Sequence, residues 1–333
     1  MRRTCAGDVG GPARREPTGL DASLGRVQHS RAVVELESRL ELLFSGIHFI
    51  FEGPDALLAA LERVPCARRE TGEALRGRAD SEPSCLVSRL VALDAPDPHR
   101  PPQDRRLGWA WQGGRAVLRS RHASAELEGP PAATRGEARL TPNRRGAESL
   151  LTGLCGALLH RMGGTILHAA SLELQGSVIA LIGPSGAGKS TASRQLEGGR
   201  VFSVDRLAIA PAGQQGWLAF PLPGGTRSAL DPPASSSVRA PLAAVLRIRK
   251  AARGVWLEPC APAQAVALLR QSAFHSGLDA QAEQELLTHL ERLAGEVPVA
   301  NLHSSLGTLF GPALGRWLAH RQTAAADQGQ ISP

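Results

Sequence analysis

Lysine is nearly absent from this chain: of 333 residues only Lys189 and Lys250 carry an ammonium, and the other basic side chains are almost all arginine. Other absences narrow the field. No apolar run approaches the roughly 20 residues that a membrane-spanning helix needs. The N-terminus is basic but has no apolar stretch behind it, which excludes the pattern of a secretory signal. The five cysteines, Cys5, Cys66, Cys85, Cys155 and Cys260, are scattered and odd in number. They form no C-x-x-C pair or Cys/His cluster, so they read as reduced thiols of a cytoplasmic protein rather than as a zinc site. Aromatic residues are only 4% of the chain and do not accompany the arginines. The formal charge of +7 therefore comes without the long basic block or the stacking residues of a nucleic-acid-binding module. It reads as an arginine-biased, solvated surface. No repeat of fixed period is visible. The expectation is a cytoplasmic protein whose partners include neither nucleic acid nor membrane.

Against that background the context of Lys189 is informative. It lies in Gly183-Pro184-Ser185-Gly186-Ala187-Gly188-Lys189-Ser190-Thr191, which fits the P-loop pattern G-x-x-x-x-G-K-[ST]. A guanidinium is a wide planar fork, whereas an ammonium is a compact charge on a thin stem. Only the ammonium fits within a ring of backbone N–H groups and still reaches the β- and γ-phosphates. The glycines let the backbone curl round an anion, and the following helix aims its N-terminus at the same place. The Ser190 hydroxyl is the expected contact to Mg²⁺. The preceding Ser177-Val178-Ile179-Ala180-Leu181-Ile182 has the length and composition of a buried strand. A short helix is expected after it, to Leu196, stopped by Gly198-Gly199. ATP with Mg²⁺ is the implied ligand.

The chain is long enough for one large or two modest domains. Residues 1–30, rich in Gly, Arg and Pro, read as a disordered tail, and residues 323–333 as a polar tail. Between 31 and 145 the pattern is α+β. One or two strands fall within 33–51, a short helix at 55–64, a strand near 85–93, and a hairpin over 109–127 with Gly113-Gly114 as its turn. From 146 to 322 the pattern is α/β. It predicts a helix over 147–162, a strand over 165–174 containing His168, and a Gln175-Gly176 turn into the P-loop strand. Strands are expected at 201–205, 217–222, 241–248 and 297–302, with helices at 263–274, 279–293 and 314–320.

A P-loop alone binds nucleotide; chemistry needs further groups. Asp205 lies 16 residues after Lys189, at the end of the next apolar strand. Ligands in open α/β sheets sit outside the carboxyl ends of strands, so Asp205 is a candidate for holding Mg²⁺ directly or through water. The alternative is a turn cap. His168, just before the P-loop strand, is a candidate base, metal ligand or phosphate contact, or else a packed strand residue.

The ordered set His168-Ala169-Ala170-Ser171, Gln175-Gly176, Gly183 to Thr191 and Phe202-Ser203-Val204-Asp205-Arg206-Leu207-Ala208-Ile209 resembles the P-loop domain of the HPr kinase/phosphorylase-like family, related in fold to phosphoenolpyruvate carboxykinase. The resemblance is specific over about 146–210 and looser over 211–321. It implies an α/β fold in which a P-loop-containing mixed sheet is flanked by helices, with a smaller N-terminal α+β region. It implies ATP- and Mg²⁺-dependent phosphoryl transfer to a serine hydroxyl, and an oligomer. Lys189 and Ser190 match the phosphate and metal contacts, Asp205 one acid of a Walker-B-like pair, and His168 the active-site histidine. The family usually has two adjacent acids where this chain has Val204-Asp205, and its glycine-rich signature after the P-loop region is not evident. Divergent relatives occur beside peptide natural-product pathways, which points to a peptide or carrier protein rather than HPr as acceptor.

Three rival readings can be weighed. An ABC-type ATPase would need an L-S-G-G-Q-like run and a later strand ending in Asp-Glu, and neither follows Thr191. A small-molecule kinase shares the short P-loop-to-Asp spacing but leaves His168 unexplained. A nucleotide-binding regulatory module without turnover would follow from the missing acid at Val204.

Overall fold

The computed structural model describes residues 38–44, 47–64, 68–69, 84–93, 108–112, 115–130, 134–192, 199–222, 239–274, 279–305 and 310–318. The chain divides into two units, Met1–Glu35 and Leu36–Pro333, and every described residue belongs to the second. The tails expected over 1–30 and 323–333, the Gly113-Gly114 turn and residues 193–198 lie outside the described residues.

The first half is one sheet covered by two helices. Its strands are β1 (Ser38–Phe44), β2 (Ile47–Gly53), β3 (Arg68–Arg69), β4 (Ser84–Ala92), β5 (Gly108–Gln112), β6 (Arg115–Arg119), β7 (Ala123–Glu128) and β8 (Thr134–Leu140), with α1 (Asp55–Glu62) after β2. The order is β3-β1-β2-β4-β8-β7-β6-β5. β4 runs parallel to both β2 and β8, while β5 to β8 form an antiparallel meander. Along β6 and β7 buried and solvent-facing residues alternate, as in a sheet with one covered face. The cover is α1 and α2 (Arg144–Arg161).

Local sequence explains α2. Asn143 caps it, its side chain accepting from the Gly146 N–H at 3.0 Å. His160 and Arg161 supply positive charge in the last turn. Gly153 lets the helix approach the sheet closely: a Cβ there would sit 2.2 Å from Leu118 Cδ1. The hydrophobic core built on α2 continues into the second half, taking in Ile166, Ala208, Ala210, Phe220 and Leu222.

The second half comprises β9 (Thr165–Leu167), β10 (Ala169–Leu174), β11 (Ser177–Ile182), α3 (Lys189–Ala192), β12 (Arg200–Ser203), β13 (Leu207–Pro211), β14 (Trp217–Pro221), β15 (Ala240–Lys250), β16 (Val255–Pro259), α4 (Pro262–Ser272), α5 (Ala280–Glu296) and β17 (Val299–Ser304), then a helix over 311–318. The strands follow the order β12-β10-β11-β15-β14-β13-β9, and β17 with β16 extends from β15. β15 joins two arrangements: its start pairs with β14, its remainder with β11 and β17. Alternate residues of β10, β11 and β15 belong to two cores. Ala169, Val178, Ala180 and Val245 pack on the side of α4 and α5, whereas Leu172, Ile179, Leu181 and Leu246 pack with Phe310 and Leu314. Burial on both faces is why β11 reads as an unbroken apolar run.

The sequence expectation of one strand over 165–174 is corrected here. The chain breaks at His168 into β9, which pairs with β13, and β10, which pairs with β11 and β12. The His168 N–H donates to Ser272 O at 2.7 Å and the Ala169 N–H to Asp205 O at 3.1 Å, so backbone groups at the break are satisfied outside a ladder. The strands β3, β8, β13 and β16 add to those expected. No helix among the described residues is long and apolar enough to cross a membrane.

Candidate functional site

Strand directions gather the candidate residues. β11 is parallel to β15, and β10 is antiparallel to both β11 and β12. β11, β12 and β15 therefore share a direction, and their C-terminal ends lie along the edge where β10 begins. Across that edge the order of strands brings up Asp205, His168, Gly183 and Arg247 in turn.

The motif from Gly183 to Thr191 follows the C-terminal end of β11 and runs into α3. Gly186 and Gly188 have φ of +80° and +98°, and no atom lies within 4 Å of a Cβ placed on either. Glycine is required there by torsion rather than by space. The Ala187 N–H closes a turn onto Pro184 O at 3.1 Å, and Pro184 and Ser185 are exposed. Lys189 is 8% exposed. Its Nζ donates to Gly183 O at 2.8 Å and Pro184 O at 3.2 Å, which places the ammonium inside the curl of the loop and uses two of its three protons. Burial lowers the Lys189 pKa from the ordinary lysine value, and Asp205 opposes that shift. Thr191 is exposed; the Ser190 backbone belongs to α3, and its side chain lies outside the described set.

His168 and Asp205 meet. Nδ1 of His168 is 3.3 Å from Oδ1 of Asp205, and both side chains are over a third exposed. This contact leaves Nε2 of the imidazole for other partners. Burial lowers the His168 pKa below the ordinary imidazole value; Lys189 and Arg206 push the same way and Asp205 pulls back. The shift favours the neutral ring, the form a proton acceptor needs. Val204 is half-buried in the turn that follows β12.

Beside the loop is a cavity of about 370 Å³. One wall is Ile182 to Ser185, the opposite wall is Leu268, Gln271 and Ser272 at the end of α4, and His168 and Arg247 also border it. Its volume falls in the range of small-ligand sites.

The donor set fits a nucleotide with magnesium. The loop has the required left-handed glycines and a buried ammonium, and Asp205 presents a partly exposed carboxylate at the same sheet edge. Among the described residues no group of three His, Cys, Asp or Glu side chains could hold a metal alone. Magnesium at a P-loop is held by one or two protein oxygens together with phosphate oxygens, for which Asp205 and Ser190 are the candidates.

The structure thus brings together His168, Lys189, Asp205 and the glycine-rich loop. Sequence reasoning assigned no part to Arg206, Arg247, Gln271 or Ser272. Arg206 could have been suspected as a cation adjoining a candidate acid. Gln271 and Ser272 gave no signal, because α4 reaches the site from about 80 residues downstream of the loop.

The model of the family described as SynChlorMet cassette protein ScmC matches residues 154–313, just under half of the chain. That span contains the loop, His168, Asp205, Arg247 and α4. No curated protein matches the chain.

Proposed function

We propose that this chain is a cytoplasmic, ATP- and Mg²⁺-dependent kinase that transfers the γ-phosphoryl group to a serine hydroxyl of a protein or peptide, as a divergent relative of the HPr kinase/phosphoenolpyruvate carboxykinase-like fold. One observation carries the reading: a glycine loop with a buried lysine, a His168–Asp205 pair and an adjoining cavity lie along one sheet edge. A nucleotide-binding module needs only the first of these.

In this reading the loop amides and Lys189 hold the phosphates, and Asp205 with Ser190 holds Mg²⁺, which neutralises phosphate charge when bound. His168 accepts the hydroxyl proton at Nε2 while Asp205 orients the ring from Nδ1. The new bond joins the serine Oγ to the γ-phosphorus. The bond from that phosphorus to the β–γ bridging oxygen breaks, its electron pair leaving with ADP. Proton transfer by a positioned base contributes about 10²–10⁴-fold.

The second reading, nucleotide binding with little turnover, rests on Val204, whose isopropyl group cannot act as a second acid. Incubation with γ-labelled ATP and candidate acceptor peptides separates the two. Transfer of label to serine, lost in Lys189→Ala, supports the kinase; ATP binding with no label leaving ATP favours the module.

A further inference from the structure

Arg206 is an anomaly beside the site. Its side chain is only 17% exposed, and its guanidinium donates no hydrogen bond among the described residues. Nε is fully buried without a hydrogen-bond partner. The nearest carboxylate oxygen, Asp205 Oδ2, is 3.8 Å from Nε, too far for a hydrogen bond. The group lies over an aromatic ring instead: its central carbon is 5.2 Å from the centroid of the Phe274 ring, and that ring lies 6.4 Å from the His168 ring. A cation–π contact of this kind satisfies none of the five donors.

A buried guanidinium nitrogen with no acceptor is costly to a fold, here Nε alone. Such an arrangement is expected where fixed donors await charge that arrives with a ligand. The planar fork matches two oxygens of a phosphate or carboxylate at once. Lys189 is tied to loop carbonyls, whereas Arg206 borders the Asp205–His168 pair. Lys189 and Arg206 both disfavour a charge on the histidine.

We propose that Arg206 is the anion-holding residue on the acceptor side of the loop, gripping the phosphoryl group as it reaches the serine oxygen and the phosphomonoester that results. This rests on the phosphoryl-transfer reading above. Phe274 is its positioning residue, keeping the fork facing His168 rather than folding onto Asp205.

The test uses the full chain saturated with ADP and Mg²⁺, so that the loop is filled, and titrates O-phosphoserine and inorganic phosphate separately by calorimetry. The wild type should bind O-phosphoserine, and Arg206→Met should weaken that binding about ten- to a hundredfold, the range for a lost hydrogen bond to a charged group. Arg206→Lys, which keeps charge but loses the fork, should fall between them. ADP affinity should stay within about twofold in all three. Equal O-phosphoserine affinity in wild type and both variants would overturn the proposal. Binding of inorganic phosphate alone would overturn the product-holding assignment. If the wild type does not bind ADP, the phosphoryl-transfer reading fails first; if ADP binds and neither phosphate compound does, only the role of Arg206 fails.

Discussion

Replacing Lys189 by arginine would keep the charge and lose the fit. The ammonium sits between two loop carbonyls at 2.8 and 3.2 Å; a guanidinium has no room to turn there and still face a phosphate. Lys189→Arg is therefore expected to lower turnover nearly as much as Lys189→Ala, by a hundredfold or more on the order of other fixed-donor losses. Steady-state kinetics with calorimetric ATP affinities would check this, and normal values in both variants would remove the loop from the mechanism. His168→Ala should abolish transfer by about 10²–10⁴-fold while leaving ATP affinity intact, since the ring faces Asp205 rather than the loop. Asp205→Asn should weaken the Mg²⁺ dependence; a sharp loss of thermal stability with activity spared would instead make it a turn cap. At this scale the lysine and glycines were legible because the motif is local. The partnership of His168 with Asp205 was not, because 37 residues, one strand reversal and the crossover from β11 to β12 separate them.

Helix α2 shows which features of an element can be read from sequence. Its apolar recurrence was visible, but its true start at Arg144 depends on the Asn143 side chain reaching the Gly146 N–H. Asn143→Ala should lower stability by about 1 kcal/mol, read as a shifted urea midpoint with unchanged slope. The glycine at 153 is a contact: any side chain there meets Leu118. Gly153→Val should cost about 1–3 kcal/mol through overpacking against Leu118. A valine variant as stable as the wild type would show that helix and sheet are less closely fitted than described. The split of β9 from β10 could not be foreseen, since Thr165 to Leu174 contains no Gly or Pro to mark a break. Only the pairing partners reveal that the chain changes sheets.

At the scale of the whole molecule, a buried and a half-buried histidine link α2 to α5. His160 is 1% exposed, its Nε2 lies 3.2 Å from Glu285 Oε2, and its ring is 5.5 Å from that of His289. The Nδ1 atoms of both rings are buried without partners. Burial lowers the pKa of each. For His160 the neighbouring His289 and Arg161 add to the shift and Glu285 opposes it; for His289 Arg292 adds and Glu285 opposes. A histidine with a lowered folded pKa takes up its proton more readily in the unfolded chain, so stability is full above the unfolded value of about 6.5 and falls as pH drops below it. Melting temperature should accordingly decline from pH 7.5 to 5.5, and His160→Gln should flatten that decline; an unchanged slope would exclude the pair as its source.

The core that runs from the first sheet through α2 to Ile166, Ala208 and Phe220 carries one more implication. Segments that share a core open together, so amide hydrogens in β4 and β8 exchange through the same global event as those in β9 and β13. Nucleotide held only by the loop would then slow exchange throughout the eight-stranded sheet, by about 2.7 kcal/mol at a ligand concentration a hundred times the dissociation constant. A protease cutting between residues 140 and 144 would release no durable fragment carrying the glycine-rich loop, because the freed helix would turn its sheet-facing leucines to water.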